Sequence, residues 1–194
     1  MPESRSLRNA RVNDPASDVT TVLLSTPMQA LQGESAMPPQ PSDVRLNPSD
    51  ETIRLGPLAV RFLLTGDDST GSVAAFELTV PAAQRLQAPA HSHDHYEETI
   101  YGIAGVLTWT VDGTPLEVRP GQAICIRRGA VHRFDNSGSE DAKVLCVITP
   151  AALGPQYFRE AFAVLDAAAG GPPDRAKLAE IMRRHRLTPA VTQA

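Results

Sequence analysis

The stretch of sequence that decides the fold is the histidine-rich segment at residues 90–98, which reads AHSHDHYEE. Side chains two residues apart on a strand project from the same face, so a strand here presents His91 and His93 to one point. A turn after them lets the next strand return the carboxylate of Glu98 beside these imidazoles. A third imidazole, that of His132, opens a later strand. Three imidazoles and one carboxylate suit Fe, Mn, Ni, Co, Cu or Zn, so the sequence predicts a metal centre.

The segment lies in a region, residues 52–149, of short β-rich runs separated by turn signals. Asp112-Gly113 stands between two such runs and predicts a tight hairpin, because glycine supplies the positive φ of a primed turn. Many short strands at this spacing are typical of an antiparallel sandwich or barrel. The predicted strands are 58–65, 73–80, 99–103, 106–111, 116–118, 123–126, 131–134 and 143–149.

The spacing of the ligand candidates resembles the first motif of the cupin superfamily, G-x5-H-x-H-x3-4-E-x6-G. Here His91-x-His93 is followed after four residues by Glu98, and after six more by Gly105. The first glycine of the motif is replaced by Arg85. Glu97 fits the shorter form of the gap, but only Glu98 keeps six residues before Gly105.

The later segment resembles the second cupin motif, G-x5-P-x-G-x2-H-x3-N. Its matching residues are Gly121, Gly129, His132 and Asn136, while Arg127 stands in place of the proline. Both departures fall on turn positions rather than on ligands. The resemblance covers about half the chain, residues 58–149, and both motifs occur at the separation typical of compact cupins.

The resemblance implies an all-β fold, the antiparallel double-sheet jelly roll of the cupin barrel. It also implies that one divalent transition metal ion per chain (Fe, Mn, Ni or Zn) binds to the four ligands. The implied metal ligands are His91, His93, Glu98 and His132.

Four further side chains are candidates for the pocket around this centre. His95 shares the parity of the two ligand histidines, and we place it at the barrel rim, exposed or just behind the ligands. Tyr96 could donate to a substrate, although a half-exposed position at the rim is the expected one. Phe134 shares the parity of His132 and should point into the same cavity. Trp109 could line that cavity too. For both Trp109 and Phe134, packing in the core without a role in the cavity is the alternative.

Cupins host several functions, so the fold alone does not decide the activity. The leading hypothesis is a metal-dependent dioxygenase, an oxidoreductase acting on a small hydroxylated organic molecule. In flavonol-cleaving cupins, which this sequence resembles in its ligand set, the glutamate is proposed to act as a general base, and Glu98 would be that catalytic residue. The alternatives are a non-catalytic protein that binds or senses a small molecule, and a metal-dependent isomerase or decarboxylase.

The segments on either side of the barrel differ from it in composition. Residues 1–51 are rich in proline, which predicts an irregular N-terminal arm. The arm is either flexible throughout, or Val22-Leu23-Leu24 adds a strand to the domain or to a partner subunit. The barrel is assigned to residues 52–150. Residues 151–194 form a predicted helical extension: Phe158, Ala161, Phe162 and Leu165 fall on one helical stripe, and Asp174 is a candidate N-cap for a second helix.

Composition limits the partners and the location of the protein. The 194 residues carry a net charge of −4, which argues against a nucleic-acid binder, and no apolar stretch reaches the about 18 residues of a membrane span. Cys125 and Cys146 are expected to be buried free thiols, with a disulfide between neighbouring strands as the alternative. We expect a cytoplasmic homodimer that binds a small-molecule substrate. A light-scattering mass equal to one chain would contradict the dimer.

Overall fold

The computed structural model describes residues 46, 49–83 and 90–190. Almost all of the predicted N-terminal arm, including Val22-Leu23-Leu24, therefore lies outside the described residues. Strands β1 to β6 are Glu51–Leu55, Leu58–Leu64, Ala74–Val80, His91–His93, Glu97–Ala104 and Leu107–Val111. Strands β7 to β11 are Thr114–Val118, Ala123–Ile126, His132–Asp135, Ala142–Thr149 and Leu187–Pro189, and helices α1 and α2 are Pro155–Ala167 and Arg175–Arg184.

The strands form two antiparallel sheets that face each other across one core. The six-stranded sheet has the order β1-β2-β3-β10-β5-β8, and the five-stranded sheet has the order β11-β4-β9-β6-β7. Strands β1 to β3, and β6 with β7, follow one another in the chain, but the other sheet neighbours, such as β3 and β10 or β9 and β6, are far apart in it. The connections therefore cross between the sheets, as in a jelly roll. The predicted antiparallel double-sheet barrel with helices after it is confirmed.

Two turns show why the glycine positions of the sequence matter. Asp112 and Gly113 both have positive φ, 47° and 80°, and join β6 to β7 with Val111 opposite Thr114, so the predicted hairpin is confirmed. Gly105 has a φ of 64°, and a Cβ there would collide with the backbone of Asp141. This turn after β5 therefore requires glycine for both conformation and space.

The core lies between the sheets and is made by alternate residues of each strand. On β5, Ile100 is fully buried, whereas Tyr101 beside it is 46% exposed on the outer face. Full burial of an apolar side chain of this size stabilises the fold by about 1.5–3 kcal/mol. This period-2 alternation also decides which polar side chains of the same strands face the interior.

The two helices close one end of the barrel. Phe158 of α1 packs on Phe62 and Phe76 of the six-stranded sheet, with ring centroids 5.8 and 5.3 Å away. Asp174 caps α2 as predicted, since its carboxylate accepts a hydrogen bond from the backbone N–H of Lys177 at 3.0 Å. No helix in the described part of the chain has the length and hydropathy needed to cross a bilayer.

Two features differ from the expectations. The chain returns after α2 to add β11 to the five-stranded sheet, a strand of three residues that is too short to be recognised by alternation. Cys146 is buried as expected, but Cys125 is exposed, so that prediction was wrong. The reason is that Cys125 lies on the outer face of β8, whereas Ile126 beside it is buried opposite Glu98 on the inner face. Both thiols are free.

Candidate metal centre

Three strands from the two sheets bring the predicted ligands together. His91 and His93 lie on β4, His132 lies at the start of β9, and His91 is directly paired with His132 across these strands. Glu98 lies on β5 of the opposite sheet and points inward, because Ile100, two residues along, is a core residue on the same face. The local alternation of each strand thus directs all four side chains to the space between the sheets.

The three imidazoles are close enough for one ion. One nitrogen atom from each of His91, His93 and His132 can be chosen so that all lie within 4.8 Å of one another. The Oε2 atom of Glu98 is 3.5 Å from Nε2 of His132 and 3.9 Å from Nε2 of His93. Two ligand nitrogens bound at about 2.1 Å to one zinc ion are at most about 4.2 Å apart, so these distances are close to those of a bound site.

The hydrogen bonds of the histidines support the same interpretation. Nδ1 of His132 is 3.0 Å from the carbonyl oxygen of Ala130. Because a carbonyl only accepts, Nδ1 carries the hydrogen and Nε2 presents its lone pair to the centre. Nε2 of His132 and both ring nitrogens of His93 are buried without a hydrogen-bond partner. Buried polar atoms without partners are costly, and a metal ion would satisfy them, so the residues fit such an ion.

The electrostatics of the site favour a neutral His93 and a charged Glu98 carboxylate. Burial lowers the pKa of His93 to about 4, in spite of the opposing charge of Glu98. Burial works in the same direction on His132, but the nearby carboxylate of Glu98, 3.5 Å from Nε2, outweighs it, and the pKa is raised. For Glu98 burial raises the pKa, and the surrounding imidazoles outweigh it, so the pKa is lowered. Glu98 is therefore the negative charge of the centre at neutral pH.

Cys146 is a neighbour of Glu98 that the sequence did not single out for this site. Burial first, and then the charge of Glu98 and a hydrogen bond to it, raise the pKa of the Cys146 thiol. The thiol therefore stays protonated and can donate to the carboxylate. Strand parity could have found it, since Cys146 and Ile148 share a face of β10 and Ile148 is paired with Glu98.

His95 and Tyr96 lie beside the ligand strand but differ sharply from each other. His95 is exposed, in line with a rim position. Tyr96 is fully buried, so the expected half-exposed position was wrong. Its ring stacks on that of His93, with centroids 4.2 Å apart, which covers the ring and removes it from solvent. Its hydroxyl group has no hydrogen-bond partner. Glu97, next to the ligand candidate, is half-buried and pairs with Thr149.

The unpartnered hydroxyl of Tyr96 leads to a stability prediction. The Tyr96→Phe variant keeps the ring that stacks on His93 and removes the unsatisfied group, so we expect the free energy of unfolding to rise by about 1 kcal/mol. Urea denaturation of the metal-free protein measures this change. Tyr101→Phe is the matched control, because Tyr101 is 46% exposed and should change the stability little. A loss of stability in Tyr96→Phe would instead show that the hydroxyl group makes a stabilising hydrogen bond in the folded protein.

A cavity of about 340 Å³ opens at the metal centre, at the lower end of the range of about 300–1,000 Å³ for small-molecule sites. All four ligand candidates line it, together with Trp109 and Phe134, whose ring centroids are 5.0 Å apart. Sequence reasoning missed the contribution of the helices, which line the same cavity through residues that include Tyr157 and Phe162. The amphipathic stripe of α1 predicted a buried face but not what that face encloses.

The fold and the site together define a small jelly-roll barrel with a candidate metal centre inside it. Residues 78–148 match the family model of the cupin domain. The chain is 30% identical over 96 residues to Protein SchB of Streptomyces halstedii, an alignment that covers 50% of this chain and 69% of SchB. It is also 30% identical over 98 residues to the tetracenomycin polyketide synthase protein TcmJ of Streptomyces glaucescens, covering 50% of this chain and 65% of TcmJ.

Among solved structures, KdgF from Halomonas sp. is 14% identical, with a TM-score of 0.44, and the match covers 52% of this chain and 86% of that chain. On the family match and the alignment with SchB, the protein belongs to the cupin superfamily. The three-histidine cluster is therefore a candidate metal site of a cupin, and residues 149–190 lie beyond the part that the family model matches.

Proposed function

We propose that the protein is a mononuclear metal-dependent dioxygenase that acts on a small hydroxylated aromatic molecule. The observation that carries the proposal is the convergence of His91, His93, His132 and Glu98 at one cavity whose other lining is mainly apolar. A divalent ion bound there would polarise the oxygen atoms of a substrate and supply redox chemistry if it is iron, manganese or nickel.

The lining of the cavity supports this substrate class. Among the described residues that line it there is no lysine or arginine, so a phosphate group would find no cationic side chain to neutralise it. Trp109 and Phe134 offer aromatic faces beside the ligand candidates, which suits a flat ring better than a sugar. Both oxygen atoms of O₂ would enter the product, with the substrate as the source of all electrons, so no external reductant is needed.

The residues of the chain have distinct tasks in this proposal. Glu98 is the one anionic group of the centre, and it accepts the proton of a substrate hydroxyl group. Ala130 holds His132 in one tautomer through its carbonyl group, and Tyr96 holds the ring of His93 by stacking. The apolar lining excludes water, which strengthens the electrostatic interactions within the site.

A second candidate function is a metal-dependent reaction that consumes no oxygen, such as enolisation followed by ring closure. The observation in its favour is the name of the relative TcmJ, a tetracenomycin polyketide synthase protein. The same centre would serve it, because polarisation of a carbonyl group and removal of a proton by Glu98 also produce an enolate.

Oxygen consumption separates the two candidates. Protein loaded in turn with iron, manganese and nickel is incubated with flavonols, naphthalenediols and hydroxyanthracenes, with and without air. The dioxygenase proposal predicts that one of these probes is consumed with one equivalent of O₂ and gains the mass of O₂. Equal consumption without oxygen would instead support the second candidate. Tight binding of the probes without turnover would favour a non-catalytic binding protein and contradict both.

Neighbouring glutamates provide a matched pair for the role of Glu98. The Glu98→Gln variant keeps the size of the side chain and loses the basic oxygen, so we expect turnover at saturating metal to fall by about 10²–10⁴-fold. The Glu97→Gln variant removes the same charge one residue earlier, where the side chain is only half-buried, and should retain most of the activity. Equal losses in both variants would contradict the assignment of the base to Glu98.

A further inference from the structure

The cavity at the metal centre is built from two parts of the chain. The barrel supplies the four ligand candidates, Trp109, Phe134 and apolar residues of β1 to β3. More than half of the lining residues, however, lie between Leu153 and Leu187, in the C-terminal extension that follows the barrel. This extension is beyond residues 78–148, to which the family model extends. The shape of the cavity away from the ligands is thus a property of this chain rather than of the common barrel.

The extension is held against the barrel by both apolar and polar contacts, so its residues form a fixed wall of the cavity. Phe158 packs edge-on against Phe76 within the core, as described above. Arg159 forms a two-pronged ion pair with Glu51 of β1, with Nη2 to Oε1 at 2.6 Å. Bidentate pairs of this kind fix orientation as well as distance. Helix α1 is consequently anchored on both its apolar face and its polar face.

Helix α2 is tied to α1 in turn. Glu160 of α1 accepts a hydrogen bond from Arg184 at 2.7 Å and lies 3.3 Å from the ring nitrogen Nε2 of His185. Met182 of α2 is buried in the main core and also lines the cavity. The two helices and the segment between them therefore enclose the cavity as one packed unit.

The side chains that the extension offers to the cavity are almost all apolar. Phe162 and Leu165 on α1 face it, and Ala168, Gly170 and Gly171 border it between the helices, where small residues leave space. The hydroxyl group of Tyr157 is the one polar side-chain group among the lining residues of the extension. The polar groups of the cavity are thus concentrated at the end that holds the ligand candidates, and the other end is apolar and uncharged.

A cavity that is polar at one end and apolar at the other fits a ligand with the same division. We propose that the C-terminal extension forms a subsite for the uncharged ring system of the substrate, whose oxygen atoms face the histidines and Glu98. The inference rests on the proposed metal centre and deepens it, because it names the element that selects the substrate. It predicts that residues 157–171, and not the cupin motifs, select the substrate by the size and apolarity of its ring system.

Hydroxamic acids of different size provide probes for this subsite, because the same chelating group binds the metal in each. Acetohydroxamate reports on the metal centre alone, and naphthohydroxamate adds a fused ring pair. For zinc-loaded wild-type protein we expect naphthohydroxamate to bind about a hundredfold more tightly than acetohydroxamate, which corresponds to burial of the rings in an apolar site. Titration calorimetry measures both affinities.

Two alanines near the end of α1 provide the matched variants. Ala168→Trp places a large ring in the cavity and should reduce the preference for naphthohydroxamate to less than about tenfold. Ala163→Trp places the same ring on the exposed face of α1 and should leave the preference unchanged. Phe162→Ala removes one aromatic side of the subsite and should lower the preference severalfold, with the affinity for acetohydroxamate unaffected. This last condition shows that fold and metal are intact.

The outcomes separate this inference from the proposed metal centre. Equal affinities of the wild-type protein for both hydroxamates would overturn the subsite but leave the metal centre in place. A preference that Ala168→Trp and Phe162→Ala leave unchanged would place the ring outside the extension and also overturn it. Failure of the wild-type protein to take up zinc would overturn the metal centre and the subsite together.

Discussion

The His132→Ala variant is expected to bind a divalent metal ion at least about a hundredfold more weakly than the wild type. Structural zinc sites with four ligands bind with about 10–16 kcal/mol, so each ligand accounts for roughly 3 kcal/mol. His132 presents Nε2 to the centre because its Nδ1–H donates to Ala130, and it is one of the three histidines that lie close enough together for one ion. Competition titration with a chromophoric chelator and elemental analysis of the purified protein measure the loss.

His95→Ala is the control for this variant, because His95 lies in the same histidine-rich segment but is exposed. It should retain the wild-type affinity. A second measurement uses stability: at a metal concentration about 100 times Kd, binding adds about 2.7 kcal/mol to the free energy of unfolding. At the same metal concentration that increment should fall to about 0.4 kcal/mol or less in His132→Ala and persist in His95→Ala. Equal metal affinities of the two variants would contradict a centre that includes His132.

The same site predicts how metal affinity depends on pH. Free histidine titrates near 6.5, and the pKa of His132 lies above this value, whereas that of His93 is about 4. As the pH falls, His132 of the metal-free protein is therefore protonated first, and its proton competes with the ion. Metal affinity should accordingly begin to decrease while the pH is still above about 6.5, well before His93 begins to titrate.

The Leu187→Ala variant is expected to lose about 2–4 kcal/mol of stability and about tenfold in metal affinity. Leu187 is 1% exposed and lies on β11, where it is paired with His93 of β4. All three residues of β4 have partners on β11, whereas β4 is joined to β9 only through His91 and His132. Loosening of β11 therefore loosens the strand that carries two of the ligand candidates.

The reason for an effect on affinity is that a frayed β4 must be ordered again when the metal binds, which consumes part of the binding free energy. Thermal unfolding and metal titration of the same samples measure both changes. Leu116→Ala is the control, because Leu116 is 40% exposed on β7 and its truncation should cost less than about 0.5 kcal/mol. Lower stability with unchanged metal affinity would show that β11 does not position β4.

Local patterns predicted much of the barrel. Strand alternation and turn residues located eight of its strands to within a few residues, and Asp112-Gly113 fixed the hairpin between β6 and β7. These features depend on neighbours in the chain, so a sequence contains them directly. Strand β1 and the three-residue strands β4 and β11 have weaker patterns; β4 was placed only because His91 and His93 alternate on it.

Burial at the edges of the barrel was harder to predict. Tyr96 was expected at the rim and is buried, because its ring is stacked between His93 and the core. Cys125 was expected in the interior and is exposed, because it lies on the outer face of β8, next to the buried Ile126. In each case the outcome depends on the direction in which the side chain points relative to the core, and short-range alternation did not show that direction at these positions.

The sequence by itself determined the candidate donor set of this cupin. His91 and His93 share one face of a strand because side chains alternate with a period of two, and the spacing to Glu98 and His132 matches the cupin motifs. Only the tertiary structure decided what surrounds that set. The return of β11 to β4 and the packing of α1 over the cavity join segments far apart in the chain. Such contacts arise from the burial of apolar faces against one another, and an amphipathic stripe shows that a face is buried without showing its partner.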